Sequence, residues 1–108
     1  MRDKTLYSLH ANICKALANP IRIEIIDVLN GKEMSFGELQ EETGVLKSNL
    51  SQHLSLMVKD GILLQRKEGL NTFFKLSTPK IGTACQLMRE ILIENLRKQS
   101  DLINHLDQ

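Results

Sequence analysis

The sequence predicts a mainly α fold with one small β-hairpin. Three observations carry that prediction. Apolar residues recur at helical spacing in four separate segments, and a capping box marks a fifth, short helix. The period changes once, between residues 62 and 76, to two short β-compatible runs around a Gly/Asn tip. Helix punctuation falls between the segments: Asn19-Pro20, Asn30-Gly31, Gly44 and Asp60-Gly61.

The elements follow in order. Over Thr5–Ala18, Leu6, Leu9, Ile13, Ala16 and Leu17 form an i, i+3, i+4, i+7 stripe, which predicts a first helix. Asn19-Pro20 ends it and starts a second, because Asn caps well and Pro fits a first helical turn. Ile21, Ile25, Val28 and Leu29 give the second helix its apolar face, and Asn30-Gly31 closes it. Ser35-Phe36-Gly37-Glu38 has the S-x-x-E form of a capping box, so a short third helix is expected over 35–43, with Gly44 at its C′ position. Lys47 to Lys59 is a fourth helix, with Leu50, Leu54 and Met57 turned to the core and Lys47, Ser48, Asn49, Ser51 and Gln52 turned outward. Ile62–Lys67 and Thr72–Leu76 read as a hairpin around Glu68-Gly69-Leu70-Asn71. From Pro79 the helical period returns. Ile81, Ala84, Met88, Ile91, Leu92, Leu96, Leu102, Ile103 and Leu106 span nearly thirty residues, a length that suggests packing against a partner chain.

Length and composition narrow the class. The 108 residues fit one domain over 1–108, and 42% hydrophobic with 25% charged residues is globular composition. No apolar run approaches the roughly 18 residues of a membrane helix, and the first residues show no secretory signal pattern. Cys14 and Cys85 make neither a disulfide framework nor a CxxC metal pair. A cytoplasmic protein is expected, not a secreted or membrane one. The net charge of +1 is uninformative, but its placement is not. Between Gly44 and Leu76 five basic residues (Lys47, Lys59, Arg66, Lys67 and Lys75) stand against Asp60 and Glu68, whereas Ser35–Thr43 holds Glu38, Glu41 and Glu42 with no base. One electropositive face is the sharper reading of this; a merely solvated surface is the plainer one.

Two helices joined by a few residues around Gly44 form a helix-turn-helix, whose second helix fits the DNA major groove. The reading head is 35–59. Amide, hydroxyl and Lys side chains suit base edges and flanking phosphates. The hairpin over 62–76, carrying Arg66, Lys67 and Lys75, is then a wing, suited to the DNA backbone or the neighbouring minor groove.

Four stretches carry a resemblance. Ala16-Leu17-Ala18-Asn19-Pro20-Ile21-Arg22-Ile23-Glu24-Ile25-Ile26 resembles the start of the second helix in ArsR/SmtB-type (arsenic-repressor-like) winged helix-turn-helix transcriptional regulators. Ser48-Asn49-Leu50-Ser51-Gln52-His53-Leu54 is similar to their S-x-x-S-x-H-L recognition helix. Asp60-Gly61-Ile62-Leu63 and Arg66-Lys67-Glu68-Gly69 are similar to their helix exit and wing. The resemblance implies a winged helix-turn-helix in which the N- and C-terminal helices (5–18 and 79–106) form a dimer interface. It implies a homodimeric repressor on a palindromic double-stranded DNA operator, with half-sites one turn, about 34–36 Å, or a multiple apart. An unidentified inducer would release it. Carried over by position, Lys47, Ser48, Asn49, Ser51, Gln52 and His53 would face DNA, and Arg66, Lys67, Asn71 and Lys75 would be wing contacts. Arg22 would lie near the dimer interface or the DNA backbone. Two positions depart from the family. Leu46 stands where Ser often caps the recognition helix, so that helix is expected to start later with Ser48 as cap. Leu70 stands where the wing tip often carries Arg.

The sensor is the open question. Glu33–Glu38 lacks the Cys of a third-helix metal site, and Asp101, His105 and Asp107 make a poor tetrahedral set, so neither metal site and no cofactor is expected. Cys14 and Cys85, on the two helices expected to pair, are the candidate thiol sensor, with His10 four residues before Cys14. The alternative is that both thiols simply pack as small hydrophobes. His53 is open between a helix-supporting hydrogen bond and a DNA contact. Met34, Met57 and Met88 read as core or interface filler, and Tyr7, Phe73 and Phe74 as packing. No Ser-His-Asp spacing, phosphate loop, carboxylate pair or HExxH is present, so an enzyme is not expected. The competing class is a winged-helix module that binds protein and not DNA.

Overall fold

In the computed structural model, which describes residues 2–106, the order is α1 (Lys4–Leu17), α2 (Pro20–Val28), β1 (Met34–Ser35), α3 (Phe36–Thr43), α4 (Lys47–Lys59), β2 (Leu63–Glu68), β3 (Asn71–Leu76) and α5 (Pro79–Leu106). Each boundary has a local cause. Asp3 caps α1 through Thr5 N–H. Asn19 Oδ1 accepts from Ile21 and Arg22 N–H at the start of α2, and Pro20 occupies its first turn. Ser35 and Glu38 close the expected capping box at 3.1 and 3.0 Å. Gly44 ends α3 with φ +69°, a conformation only glycine adopts without strain.

Two details differ from expectation. The recognition helix α4 runs Lys47–Lys59, the range its periodicity predicts, but not with the later start and Ser48 cap that the family comparison implies: Leu46 is an N-cap that makes no side-chain bond. Ser48 lies inside the first turn instead of capping it. The backbone explains this: Thr43 Oγ1 accepts from Val45 N–H, Leu46 is extended, and Leu46 C=O already accepts from Leu50 N–H at 2.9 Å. The helix start is thus set by the turn, and a side-chain cap is not needed to fix it. The hairpin is also tighter than expected. Glu68 pairs with Asn71, leaving only Gly69 (φ +62°) and Leu70 at the tip.

A third strand was not foreseen. Met34 and Ser35 pair antiparallel with Phe74 and Phe73, giving the sheet order β1-β3-β2. Two residues carry no periodicity to detect. The strand ties the start of α3 to the hairpin, so the wing has a fixed root.

The core lies in the middle of the chain. Ile25, Ile26 and Leu29 of the α2 region pack with Leu39 of α3, with Leu50, Leu54 and Met57 of α4, and with Met34, Ile62, Leu63 and Phe74. Eight of these side chains are under 2% exposed. The three expected core positions of α4 are all among the buried set. The end helices differ. None of α1 is buried, and α5 buries only Gly82, with Ile81 and Cys85 partly covered. Tyr7, read as packing, is exposed on α1, and Met88 is exposed on α5.

Candidate nucleic-acid interface

The site starts from α4. Its buried stripe of Leu50, Leu54 and Met57 fixes the helix roll against the core. At 100° per residue, that roll sends Ser48 and Gln52 directly outward. Lys47, Ser51 and Ser55 fall along one flank and Asn49 and His53 along the other. Lys47, Ser48, Asn49, Ser51 and Gln52 are all exposed, as expected, and His53 is half-buried.

The flank of Lys47, Ser51 and Ser55 looks across an open groove of about 540 Å³ to the wing. Gln65, Lys67 and Thr72 line the opposite wall, and Leu70 and Asn71 form its rim. Strand alternation separates the expected wing contacts. Lys67 falls on the groove face with Gln65 and Thr72, and Asn71, whose register partner Glu68 belongs to the other face, reaches the groove from the hairpin tip. Arg66 and Lys75 point to the other face of the hairpin, opposite Phe73 and Leu64.

Arg66 is also fully engaged there. Its guanidinium donates to Glu33 at 2.7 and 3.0 Å and to Glu68 at 2.6 Å, and lies 4.4 Å above the Phe73 ring. The hydrogen bonds to Glu33 and then Glu68 raise its pKa further, and Arg66 holds the Glu33 carboxyl below its ordinary value. Arg66 joins the loop before β1 to the hairpin. Gln65, Thr72 and Ser55 were missed as groove residues, although alternation from the Glu68–Asn71 pair finds Gln65 and Thr72, and helical spacing from Ser51 finds Ser55.

The other flank of α4 meets α2. Arg22 Nε donates to His53 Nδ1 at 3.2 Å, and Arg22 Nη1 donates to the Ala16 carbonyl at 2.9 Å. Burial, and then the Arg22 charge, hold the His53 pKa below its ordinary value, so the ring is neutral near pH 7.

The two cysteines have different surroundings. Cys14 is exposed on α1, and Cys85 is half-buried on α5. Burial raises the Cys85 thiol pKa. His10 is exposed on α1. Among the described residues no three His, Cys, Asp or Glu side chains cluster as metal ligands, and Asp107 lies outside those residues. No described helix is long and apolar enough to cross a membrane.

A tight two-helix turn, an exposed polar recognition helix and a rooted wing define a winged helix-turn-helix DNA-binding regulator. Residues 19–63 match the family model for bacterial regulatory proteins of the arsR family. The chain is 31% identical to the HTH-type transcriptional regulator Rv0081 of Mycobacterium tuberculosis, over 98% of this chain and 94% of that protein. The crystal structure of Rv0081 superposes with a TM-score of 0.79 at 33% identity, covering 87% of this chain and 95% of that one. The chain is also similar to the transcriptional activator HlyU of Vibrio cholerae, at 34% identity over 73% of each chain. It is 32% identical to the biofilm growth-associated repressor of Xylella fastidiosa, over 75% of this chain and 68% of that protein. A homodimeric winged helix-turn-helix domain from Mycobacterium bovis, Mb0332, shares the fold with a TM-score of 0.78 at 24% identity, over 91% of this chain and 93% of that one. The chain belongs to the arsR family. It is a transcriptional regulator that binds DNA through its winged helix-turn-helix, and not an enzyme.

Proposed function

We propose that the protein is a cytoplasmic, homodimeric repressor that reads a palindromic operator. The observation that carries this is the exposed polar face of α4 beside the Lys47–Lys67 groove. In this reading Ser48, Asn49, Ser51 and Gln52 meet base edges, Lys47 meets a phosphate, and Lys67 and Asn71 hold the DNA from the wing. Arg66 holds the wing in place, and Lys75, on the far face, contributes only long-range attraction. The apolar faces of α1 and α5 support the dimer: Leu9, Ile13, Met88 and Leu92 are all more than half exposed in one chain. Mb0332 is named a homodimer. The biofilm growth-associated repressor supports the negative sign of regulation, whereas HlyU is named an activator.

Release by an inducer belongs to the same proposal, and Cys14 with Cys85 is its candidate switch. The test is selection of binding sites from random duplex DNA, followed by affinity measurements on reduced and diamide-oxidised protein. A palindrome is expected. Lower affinity that returns with reductant would assign the thiols, whereas equal affinity would leave them as packing residues. The sign needs a promoter–reporter fusion carrying the selected site, in which deletion of the regulator raises output if it represses. A second reading, a protein-binding module, has Leu46 and Leu70 in its favour, both strongly exposed at the reading edge. It predicts that no sequence is enriched.

A further inference from the structure

Arg22 occupies a junction that DNA reading as described does not use. It is half-buried at the start of α2, where the Asn19 cap fixes its backbone. One guanidinium nitrogen donates to the Ala16 carbonyl, in the last turn of α1. The carbonyls of a last turn lack intrahelical partners, so Arg22 satisfies one of them. A second nitrogen donates to Nδ1 of His53, on the recognition helix. Arg22 therefore touches a terminal helix and the reading helix with one rigid, planar group.

The chemistry at His53 follows from the donor. Arginine carries no acceptor, so a His nitrogen that receives its N–H must hold a lone pair. A neutral imidazole with its lone pair on Nδ1 has its proton on Nε2. On the ring, Nε2 lies on the far side from the Arg22 contact. His53 lies on the flank of α4 one turn after the exposed Asn49, between the outward face and the core.

We propose that Arg22 is a positioning residue for DNA binding: it ties the end of α1 to α4 and locks His53 in the Nε2–H form, making that nitrogen a fixed donor to a DNA phosphate oxygen. Lysine cannot replace it, because one ammonium lacks the fork that spans both acceptors. The inference rests on the DNA-reading face described above, and its first test needs no DNA.

That test is the imidazole nitrogen NMR spectrum of the free wild-type protein. The expected His53 signal is a single neutral tautomer protonated at Nε2. Arg22→Lys is expected to show a mixture of both tautomers, with its circular dichroism unchanged. A wild-type ring protonated at Nδ1 overturns the proposal outright. The second test measures affinity for the selected duplex in wild type, Arg22→Lys, His53→Ala and the double variant. Arg22→Lys should weaken binding about fivefold, the size of one hydrogen bond, and should have no effect once His53 is Ala. Equal losses in both backgrounds would show that Arg22 acts independently of His53 and would overturn the mechanism. A wild type that binds no duplex, with the Nε2–H tautomer intact, would refute the DNA-reading face and not the strap.

Discussion

The centre of the molecule and its two end helices solve opposite problems. The centre closes on itself: Ile25, Leu39, Leu50 and Met57 are fully buried, and its helix starts and turns have internal partners. The end helices do not close. α5 runs 28 residues, about 42 Å at 1.5 Å per residue, and projects beyond the core. Its Leu87, Met88, Ile91, Leu92 and Leu96 are each half exposed or more, as are Leu6, Leu9 and Ile13 of α1. The difference shows what each region is for. In the proposed dimer the centre holds the reading helix against its core, whereas the ends carry an exposed apolar face that a second chain would bury.

Breaking the ends should do most to function and little to the fold. Leu92→Glu is expected to leave far-ultraviolet circular dichroism native, halve the mass seen by sedimentation, and weaken operator binding by roughly 10²-fold or more, the avidity of two linked half-sites. A DNA-competent monomer would refute the architecture. Breaking the centre should do the reverse. Leu54→Ala opens a cavity under α4 and should cost about 2–5 kcal/mol in denaturant unfolding. Its transition should still shift with protein concentration, as expected where assembly and stability are linked.

Within the centre, the reading face separates further. Asn49→Ala or Gln52→Ala should relax base preference by about 1–3 kcal/mol at one position per half-site. An unchanged preferred sequence in both variants would show that other residues read the bases. The wing supplies a sharper contrast between its two faces. Lys67→Ala should make the plot of log affinity against log salt shallower by about one unit, whereas Lys75→Ala should leave the slope nearly unchanged. Equal changes would mean that the outer face of the hairpin also touches DNA.

Which of these features could be read in the sequence follows from how local their causes are. The capping box at Ser35 and Glu38, the Asn19-Pro20 start and the Gly44 stop each act within four residues, and all three stand where the pattern placed them. The stripe of Leu50, Leu54 and Met57 likewise fixed the outward face of α4. The features that escaped depend on partners far along the chain. Glu33 and Arg66 are thirty-three residues apart, as are no two groups a local motif joins. β1 exists only because Phe73 and Phe74 arrive beside it. The bond from Arg22 to His53 spans thirty-one residues. Wing polarity was in principle legible, since alternation alone separates Lys67 from Arg66 once the Glu68–Asn71 register is known.

The smallest expected effect concerns that last bond and pH. Burial first, and the Arg22 charge second, lower the His53 pKa in the folded protein. In the unfolded chain it returns to about 6.5. The unfolded state therefore binds more protons than the folded one as pH falls past that value, so stability falls with it. The contribution is complete above about pH 6.5 and is lost as pH drops through the lowered folded value. The imidazole titration checks this directly. Wild-type His53 should titrate below 6.5, and Arg22→Gln, which removes the charge but keeps a donor, should move the midpoint upward. Because burial is the larger cause, the midpoint should remain below the unfolded value. A midpoint unmoved by Arg22→Gln would show that the reading helix and the α1–α2 corner are electrostatically independent.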